Sequence, residues 1–542
     1  MLFAVLSTLL VAYFVYCLRW RLKVLSIFRR LNIPGPSPRF LWGNMYEIYK
    51  HGHLVMQKKW HEQYGPVVGF YFGLFPCLLV SDTELLKRIL LKDFHNFADR
   101  SHIISGENGS IIDDSLLTLK GQRWKEVRST LTPSFTSKKL KKVTPEVSSA
   151  ADEFMKNVDR HFAEDAECDF YELFQALTLD TICKTGMGVD FEIQSNIDNS
   201  AILRQVKMML AYQIDLILLI IVSFPSLLQL AGKLLTALAQ RAKNSGRDPI
   251  VKLKQQCGDV VKLRRSDTEK SERSDLLQLM MDAQNTVAHA TDLKSMIAGD
   301  DAEAVEAEAS LKIAKKQSIP SECPFAGKPK GLTDSEVIDN ALLLLLAGYE
   351  TTSSSMAFMT KLLVRFPEVQ ERMREELLDA TGGGKVFDFE RLQRCQYTEA
   401  VLQESLRMYP PIYFLTARVA AEEIKYGSLT IPRGMNIFSS VNQLHYDEDV
   451  FPLPYEFQPE RFLPENKTPA MAWYWQPFGI GPRNCIGMRF AQMEIKLTMA
   501  KLLTKYRMTS ESEPEHEAYI ETLVMPVLQQ IKDPVKCKLH LL

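Results

Sequence analysis

The alternation of apolar and polar positions predicts a mainly α chain with a minor β portion. Three segments place apolar residues at spacings of three and four, opposite charged residues, which is the period of an amphipathic helix: residues 368–381, 397–409 and 488–506. Shorter apolar runs punctuated by glycine or proline predict strands: a hairpin within residues 67–81 and further short strands within 423–431 and 436–441. Nearly all of the remaining pattern has helical period.

The first 18 residues are almost entirely apolar, and a basic cluster follows them: Arg19, Arg21, Lys23, Arg29 and Arg30. A cleavable signal peptide would carry a basic leading segment and a small-residue cleavage site, and neither is evident. We therefore predict a transmembrane signal anchor at residues 1–18. Because positive charge flanks the cytosolic side of a span, the rest of the chain is expected in the cytosol, at the endoplasmic reticulum membrane.

Length alone sets no domain count for the chain behind this anchor. Residues 19–38 are predicted to be a basic and proline-rich linker. Residues 285–330 are polar, acid-rich and then proline-rich, which is typical of a surface insertion. Residues 208–238 are strongly apolar but contain Asp215 and Pro225, so a helix pair with a lipid-facing or cavity-facing side is favoured over a second span.

Composition excludes several classes of protein. Of the 542 residues, 46% are apolar and 24% are charged, which excludes disordered, collagen-like and polytopic membrane proteins. The formal net charge is -1, so no global field would attract nucleic acid, and nucleic-acid binding is not expected. The nine cysteines form no CxxC pair, which suits a reducing compartment better than a disulfide scaffold.

One cysteine lies in a distinctive loop, Phe478-Gly-Ile-Gly-Pro-Arg-Asn-Cys-Ile-Gly487, directly before the helix predicted from Met488. The free N–H groups and the dipole of a helix N-terminus lower the pKa of a thiol, so Cys485 is expected to form a thiolate and a soft metal ligand. Arg483 can pair with a carboxylate through its guanidinium fork, and Phe478 could cover the face of a ligand. The alternative is a buried structural cysteine at a helix start.

This decamer resembles the haem-binding loop of the cytochrome P450 family, FxxGxRxCxG, and matches it at five positions: Phe478, Gly481, Arg483, Cys485 and Gly487. The resemblance covers essentially the entire chain and implies that residues 39–542 form a single haem-thiolate catalytic domain. It implies the cytochrome P450 fold, a triangular helical haem domain with small β-sheets behind an N-terminal membrane anchor. It also implies haem b (iron protoporphyrin IX) as the cofactor, with Cys485 as the axial ligand of the haem iron.

Glu404 and Arg407 lie on the helix predicted at residues 397–409, and their i,i+3 spacing places both charges on one face. Taken alone, such a pair is more often solvated at the surface. In the family, an ExxR pair joins an arginine such as Arg461, in the segment PERF, in a buried network on the proximal side of the haem. The resemblance therefore implies that Glu404, Arg407 and Arg461 are structural.

Residues 341–352 form an apolar helix pattern that becomes polar midway, at Ala347-Gly348-Tyr349-Glu350-Thr351. Thr351 could hydrogen-bond dioxygen or bond back to a backbone carbonyl, and Gly348 would let the helix open there. Glu350 could relay protons from solvent. The run matches the AGxET segment of the family, which implies that this acid and alcohol support oxygen activation. The alternative is an ordinary buried threonine beside a surface glutamate.

Trp124 and Arg128 are spaced i,i+4, so the indole N–H and the guanidinium project from one helix face towards a common acceptor. The pair is similar to the WxxxR motif of the family, which implies contacts to the haem propionates. Arg100, Arg418 and Arg483 occupy corresponding positions in the microsomal branch, so several donors could offset two buried carboxylates. For Arg100 and Arg418, the alternative is an ordinary surface arginine.

The sequence contains no GxGxxG followed by a helix and an acidic partner, so no nicotinamide or flavin module is expected. The resemblance implies electrons from NADPH-cytochrome P450 reductase, with cytochrome b5 as a further candidate. A basic cluster near the Trp124 helix could dock an acidic flavoprotein or be an ordinary solvated face: Lys138, Lys139, Lys141 and Lys142.

The motifs look closest to the microsomal drug- and steroid-oxidising branch that also includes thromboxane synthase. Because Glu350 and Thr351 are both present, oxygen-dependent monooxygenation is favoured over a peroxide isomerisation and over a haem sensor or carrier without turnover. A lipophilic substrate is expected, such as a xenobiotic, a steroid or a fatty-acid-like molecule, with membrane lipid as a neighbour. Five apolar-rich segments are predicted to contact it: residues 101–119, 208–238, 342–351, 412–416 and 523–527.

Overall fold

The computed structural model describes residues 2–101, 103, 112–164, 168–210, 223, 249–266, 275–282, 284, 331–524 and 528–542. Within these ranges the chain is mainly helical and carries four small sheets, as the sequence predicts. The prediction for residues 285–330 lies outside the described residues, as do those for most of 208–238 and for parts of 101–119 and 523–527.

The helices follow in chain order: α1 Leu2–Leu25, α2 Ile27–Arg30, α3 Met45–His51, α4 His53–Tyr64, α5 Thr83–Lys87, α6 Gly121–Leu131, α7 Ser137–Ala163, α8 Phe170–Ile182, α9 Ala201–Leu210, α10 Pro249–Ser266, α11 Leu276–Asp282, α12 Asp334–Arg365, α13 Pro367–Thr381, α14 Phe389–Gln393, α15 Gln396–Met408, α16 Val441–His445, α17 Met471–Tyr474 and α18 Met488–Lys505. Single π turns follow α5 and α8, at Arg88–Lys92 and Cys183–Met187, and 3-10 turns lie at Thr132–Phe135 and Pro459–Phe462. The helices at 368–381, 397–409 and 488–506 are confirmed to within one residue at each end, as α13, α15 and α18.

The strands are β1 Val67–Phe72, β2 Phe75–Val80, β3 Cys168–Asp169, β4 Ala417–Val419, β5 Ile424–Tyr426, β6 Leu429–Ile431, β7 Asn436–Ser439, β8 Tyr506–Thr509, β9 Thr522–Val524, β10 Gln529–Ile531 and β11 Lys536–Leu541. The largest sheet has the order β1-β2-β7-β4, and three smaller sheets pair β9 with β10, β5 with β6, and β11 with β3 and β8. The predicted hairpin is β1–β2, in which Val68 lies opposite Leu79, and the other predicted strands are β5, β6 and β7.

In the largest sheet, β2 and β7 run parallel, with Leu78 opposite Ile437, and β4 runs antiparallel to β7, with Arg418 opposite Ile437. This pairing brings Arg418 beside a strand that is distant in the sequence. The sequence analysis did not predict β4, because three residues are too few to show a period of two.

Helix α12 is the longest helix in the described part of the chain, at 32 residues. Thr333 caps its start, and the N–H groups of Thr333 and Glu336 are satisfied by a reciprocal capping box. Most of its length is buried, and α8 packs along it. The segment 347–351 therefore lies within the core of the protein.

Helix α1 extends beyond the apolar run and ends at Leu25. Arg21 lies in this extension and is buried. The Arg21 guanidinium donates to the carbonyl oxygens of Phe40 and Ser223, at 2.6 and 3.2 Å. The proline-rich segment at residues 33–38 is neither helix nor strand. In the part of the chain that is described, no helix combines the length and apolarity needed to cross a membrane.

Candidate functional site

The cysteine loop is closed by backbone hydrogen bonds before α18 begins. The N–H of Cys485 donates to the carbonyl of Phe478 at 2.8 Å, and the N–H of Asn484 donates to the carbonyl of Gly481 at 2.9 Å. Gly481 has φ of +81°, and a Cβ placed there would lie 2.4 Å from the carbonyl oxygen of Leu90. Only glycine fits this position, so the motif fixes how the loop packs and where the thiol lies.

The structure corrects the expected pKa of Cys485. Helix α18 begins at Met488, so the thiol lies three residues before it, and a single backbone N–H, that of Gly487, lowers its pKa. Arg128 and Arg100 also lower it, but desolvation is the largest effect, and the pKa of Cys485 is raised. The side chain retains exposed surface although neighbouring protein atoms desolvate the thiol. A bound metal cation would deprotonate it.

Four arginines predicted to meet the propionates lie in one electrostatically coupled group: Arg100, Arg128, Arg418 and Arg483. All four have lowered pKa values, chiefly through desolvation and then, for three of them, through mutual repulsion. The pKa of Arg483 falls to about 8 and that of Arg418 to about 9. Within the described ranges, the carboxylate of Asp99 raises the pKa of Arg483; it lies 3.7 Å away and is partly exposed. This cluster therefore carries positive charge that its own acids do not balance.

The donors of this cluster are only partly used. Arg483 donates to the carbonyls of Ala98 and Leu119, at 2.6 and 2.8 Å, and Arg100 donates to that of Leu415, at 2.7 Å. Among the described residues, the buried Nε atoms of Arg100, Arg128 and Arg418 have no hydrogen-bond partner. Because buried donors are normally paired, these atoms fit a ligand that brings two carboxylates. Together with the thiol of Cys485, the cluster fits haem b.

Among the residues that the structure describes, Trp124 and Arg128 share no acceptor. Arg128 donates to the carbonyl and the side-chain oxygen of Asn484, at 3.0 and 2.9 Å, and so ties α6 to the cysteine loop. Trp124 is buried, and the guanidinium of Arg483 lies 4.2 Å from the centroid of its ring. This contact stabilises a desolvated arginine. Propionate binding by this pair stays a prediction.

Phe478 is partly buried and packs edge-on against Trp475, with their ring centroids 6.1 Å apart. Its carbonyl, rather than its ring, makes the hydrogen bond to Cys485 described above. Whether the ring covers the face of a ligand stays a prediction.

The structure brings Glu404, Arg407 and Arg461 together in the core. Arg407 donates to both carboxylate oxygens of Glu404, at 2.7 and 2.9 Å, and Arg461 donates to one of them at 3.1 Å. The side chains of Glu404 and Arg407 are 0% exposed. The N–H of Gln458 adds a fourth bond to Glu404, at 3.0 Å. The carboxylate therefore joins α15 to the segment that follows α16.

His445 completes this network and was not singled out by the sequence. Its Nδ1 donates to the carbonyl of Arg407, and its Nε2 accepts from the N–H of Gln476, both at 2.8 Å. Burial lowers the pKa of His445 to about 3, so the ring is neutral and both nitrogens are used.

Glu350 is buried on α12 and points towards α8 rather than towards the surface. Its carboxylate accepts hydrogen bonds from Tyr171, from Ser354 at 2.9 Å and from Gln175 at 3.3 Å. Its pKa is raised, because desolvation outweighs these bonds. The sequence analysis missed Tyr171; no local pattern reveals it, since the pairing is across 179 residues.

Thr351 and Gly348 occupy other faces of the same helix. The Thr351 hydroxyl donates to the carbonyl of Ala347 at 2.6 Å, which is one of the two arrangements suggested by the sequence. The hydroxyl itself is exposed. Gly348 faces Ile182, since a Cβ placed there would lie 3.2 Å from Cγ1 of Ile182. The helix is continuous through both residues. Gly348 therefore permits the close approach of α8, and a local opening of α12 stays a prediction.

Comparison with known proteins agrees with this site. The family described as Cytochrome P450 matches residues 33–300 and 313–532. The chain is similar to thromboxane-A synthase of Mus musculus, 28% identical over 95% of this chain and 93% of the relative. It is also similar to cytochrome P450 3A56 of Fundulus heteroclitus, 29% identical over 98% and 97%. A third relative, lithocholate 6-beta-hydroxylase of Mesocricetus auratus, is 28% identical over 94% and 92%.

The family match spans most of the chain and includes the cysteine loop, the arginine cluster and the α12 segment. Members of this family are haem-thiolate oxidoreductases. The chain belongs to the cytochrome P450 family.

Proposed function

We propose that this protein is a haem-thiolate monooxygenase that inserts one oxygen atom of O2 into a lipophilic substrate. The other oxygen atom leaves as water, with two protons and with two electrons that come from NADPH through a partner reductase. The observation that carries the proposal is Glu350, a carboxyl group inside the core whose pKa is raised. Burial favours the uncharged form of this carboxyl group, so Glu350 can take up a proton and deliver it; monooxygenation consumes protons and peroxide isomerisation does not.

Haem b, when bound, supplies the oxidising chemistry, and an anionic thiolate ligand favours cleavage of the O–O bond. The chain would supply the ligands: Cys485 would bind the iron, and the arginine cluster would pair with the propionates. Trp124 supports Arg483, and the turn at Gly481 fixes the thiol relative to these donors. Each of these groups is held by a contact that the sequence motif alone does not reveal.

Tyr171 gives Glu350 a hydrogen-bonded route towards solvent. The Tyr171 hydroxyl donates to Glu350, and Tyr171 is itself only partly buried at the start of α8. The phenol can pass a proton to the carboxylate and regain one from the outer side. Thr351, on the neighbouring face of α12, has an exposed hydroxyl that can be redirected from Ala347 towards a reacting oxygen.

Electrons must come from another protein, since the chain carries no dinucleotide motif. We propose NADPH-cytochrome P450 reductase as the donor, with cytochrome b5 as a second. The four lysines at the start of α7 suit an acidic surface. Lys138 and Lys142 are exposed, whereas Lys141 already pairs with Glu390. We place the enzyme at the endoplasmic reticulum membrane, with the apolar residues 1–18 as its anchor and its catalytic domain in the cytosol.

A second candidate is the isomerisation of a lipid peroxide. The similarity to thromboxane-A synthase favours it, at an identity close to that of the cytochromes P450 3A. Such a reaction needs neither NADPH nor a proton relay. NADPH dependence therefore separates the two candidates.

The test combines a spectrum with a turnover assay. Membranes containing the wild-type protein should show a strongly red-shifted Soret band after reduction and exposure to carbon monoxide. The band should be absent for Cys485→Ala and retained for the control Cys257→Ala, a buried cysteine on α10. Product that forms only with NADPH and reductase supports monooxygenation. Turnover of a lipid endoperoxide without NADPH would refute monooxygenation and support isomerisation.

A further inference from the structure

Helix α4 carries a buried polar pair that the catalytic proposal does not use. His53 and Gln57 are one turn apart, and they are only 4% and 3% exposed. The side-chain nitrogen of Gln57 lies 2.6 Å from Nδ1 of His53. This hydrogen bond joins the two side chains to each other but satisfies only half of their polar atoms.

The other half has no partner. In the part of the chain that is described, Nε2 of His53 and Oε1 of Gln57 make no hydrogen bond. If Gln57 donates to Nδ1, then Nε2 is a free donor and Oε1 a free acceptor. If the amide is turned over, Nδ1 donates to its oxygen, and Nε2 becomes a free acceptor beside a free amide donor. In both arrangements one donor and one acceptor remain, which is the complement of a hydroxyl group.

The surroundings of this pair are aromatic and apolar. The His53 ring packs edge-on against Phe414, with centroids 4.2 Å apart, and lies 5.5 Å from the ring of Tyr413. The pKa of His53 falls to about 3 through desolvation, so the imidazole is neutral. A neutral polar pair in an apolar wall recognises an uncharged polar group and disfavours an ion.

The pair lies beside segments that are predicted to contact the substrate. Tyr413 and Phe414 belong to a hydrophobic core cluster against which Ile103 and Val524 also pack. These residues come from three of the segments predicted to contact the substrate, 101–119, 412–416 and 523–527. Helix α4 thus adds a buried polar pair to a region formed by segments that the sequence analysis describes as apolar-rich.

We propose that His53 and Gln57 form the polar recognition site for the substrate, and that they select a lipophilic molecule carrying a hydroxyl group. The proposal rests on the function proposed above and narrows its substrate class. A hydroxyl at this site would accept one hydrogen bond and donate another, and its apolar body would lie against Phe414 and Tyr413. A hydrocarbon lacking the hydroxyl would leave both polar atoms unpaired, which is costly when they are buried.

The test uses androstanol and androstane, which differ by one hydroxyl group. Each is titrated into the haem-loaded, full-length protein, and Kd is read from the shift of the Soret band and from the rise in melting temperature. The wild type should bind androstanol about tenfold more tightly, the value of one net hydrogen bond of about 1.4 kcal/mol. His53→Phe combined with Gln57→Met, which keeps volume and removes polarity, should abolish this preference.

His61 on the same helix provides the control. Its two ring nitrogens are already paired, with the carbonyl of Gly65 at 2.9 Å and the hydroxyl of Ser440 at 2.6 Å. His61→Phe should lower stability without changing the preference between the two probes. The double variant should be as stable as the wild type or more so, because it removes unpaired polar atoms.

Equal affinity of the wild type for the two probes, binding of neither, or a preference that survives the double variant overturns the proposal. These outcomes differ from a failure of the proposed function, in which the carbon monoxide band of the wild type would itself be absent. A preference that disappears only in the double variant supports a hydroxyl-bearing substrate.

Discussion

Replacement of Glu404 by glutamine tests whether the buried ion network holds the fold. The carboxylate accepts four hydrogen bonds and compensates two guanidinium groups that have almost no exposed surface. Glu404→Gln keeps the shape but removes the charge, so Arg407 and Arg461 stay buried without a counter-ion. Breaking a buried pair on one side typically costs about 3–5 kcal/mol. This is a large part of the roughly 5–15 kcal/mol by which proteins are stable.

The measurement is urea unfolding of the haem-loaded protein, followed by circular dichroism and by Soret absorbance. The matched control is Glu153→Gln, since Glu153 pairs with Lys156 at the same i,i+3 spacing on an exposed helix face. That change should cost at most about 1 kcal/mol. Adding Arg407→Met to Glu404→Gln removes one unpaired charge and should recover part of the loss.

A loss in Glu404→Gln no larger than that of the control would refute this reasoning. It would mean that the network is solvated in solution, or that the arginines find other acceptors. Arg407 already donates to the carbonyl of His445 at 2.8 Å, and Arg461 donates to that of Pro452 at 2.7 Å. The comparison therefore measures how much of the stability comes from the charge itself.

Three further predictions concern the site. Gly481→Ala should abolish haem binding, measured as loss of the Soret band, because the added Cβ would lie 2.4 Å from the carbonyl oxygen of Leu90. The control is Gly427→Ala, which should keep the band because Gly427 also has a positive φ but has open space around it. Thr351→Ala should uncouple NADPH consumption from product formation and release hydrogen peroxide. The control is Thr352→Ala, at the buried neighbouring residue, which should leave the coupling unchanged. Equal coupling in the two variants would show that Thr351 has no part in the mechanism. The pKa of His53 is about 3 in the folded protein and about 6.5 in the unfolded chain. The unfolded chain therefore binds a proton first as the pH falls, so the stability that the neutral ring contributes is complete above pH 6.5 and is lost as the pH falls towards 3. Between pH 6.5 and 5 the unfolding free energy of the wild type should fall by about 2 kcal/mol more than that of His53→Phe, and parallel curves would contradict the burial of a neutral ring.

The sequence predicted those parts of the fold that repeat locally. Helices α13, α15 and α18 and the β1–β2 hairpin follow from apolar periods of three to four and of two residues. Strand β4 and the β2–β7 pairing could not be predicted in this way, because short strands are defined by partners that are distant in the chain. The motif residues were also recognisable, since the spacing from Phe478 to Gly487 reflects the turn that the cysteine loop must make.

The contacts of the site residues were less predictable than their identities. The sequence suggested that Cys485 would gain a low pKa from a helix N-terminus, but the helix starts three residues later and desolvation outweighs the single backbone bond. It suggested that Glu350 relays protons from solvent but named no partner for it, and the structure shows that its carboxylate accepts a hydrogen bond from Tyr171 on α8. Local spacing reports which face of a helix a residue occupies, and the neighbour on that face is set by tertiary packing.

The arginine cluster also affects how the protein is made. Like charges that repel one another in a desolvated wall oppose folding until a dianionic partner neutralises them. Binding of such a partner to the folded state alone adds stability by mass action, about 4 kcal/mol when its free concentration is a thousand times its Kd. The amount of folded enzyme in a cell is therefore tied to the supply of haem. When haem is limiting, we expect the newly made chain to be degraded and not to accumulate as folded apoprotein.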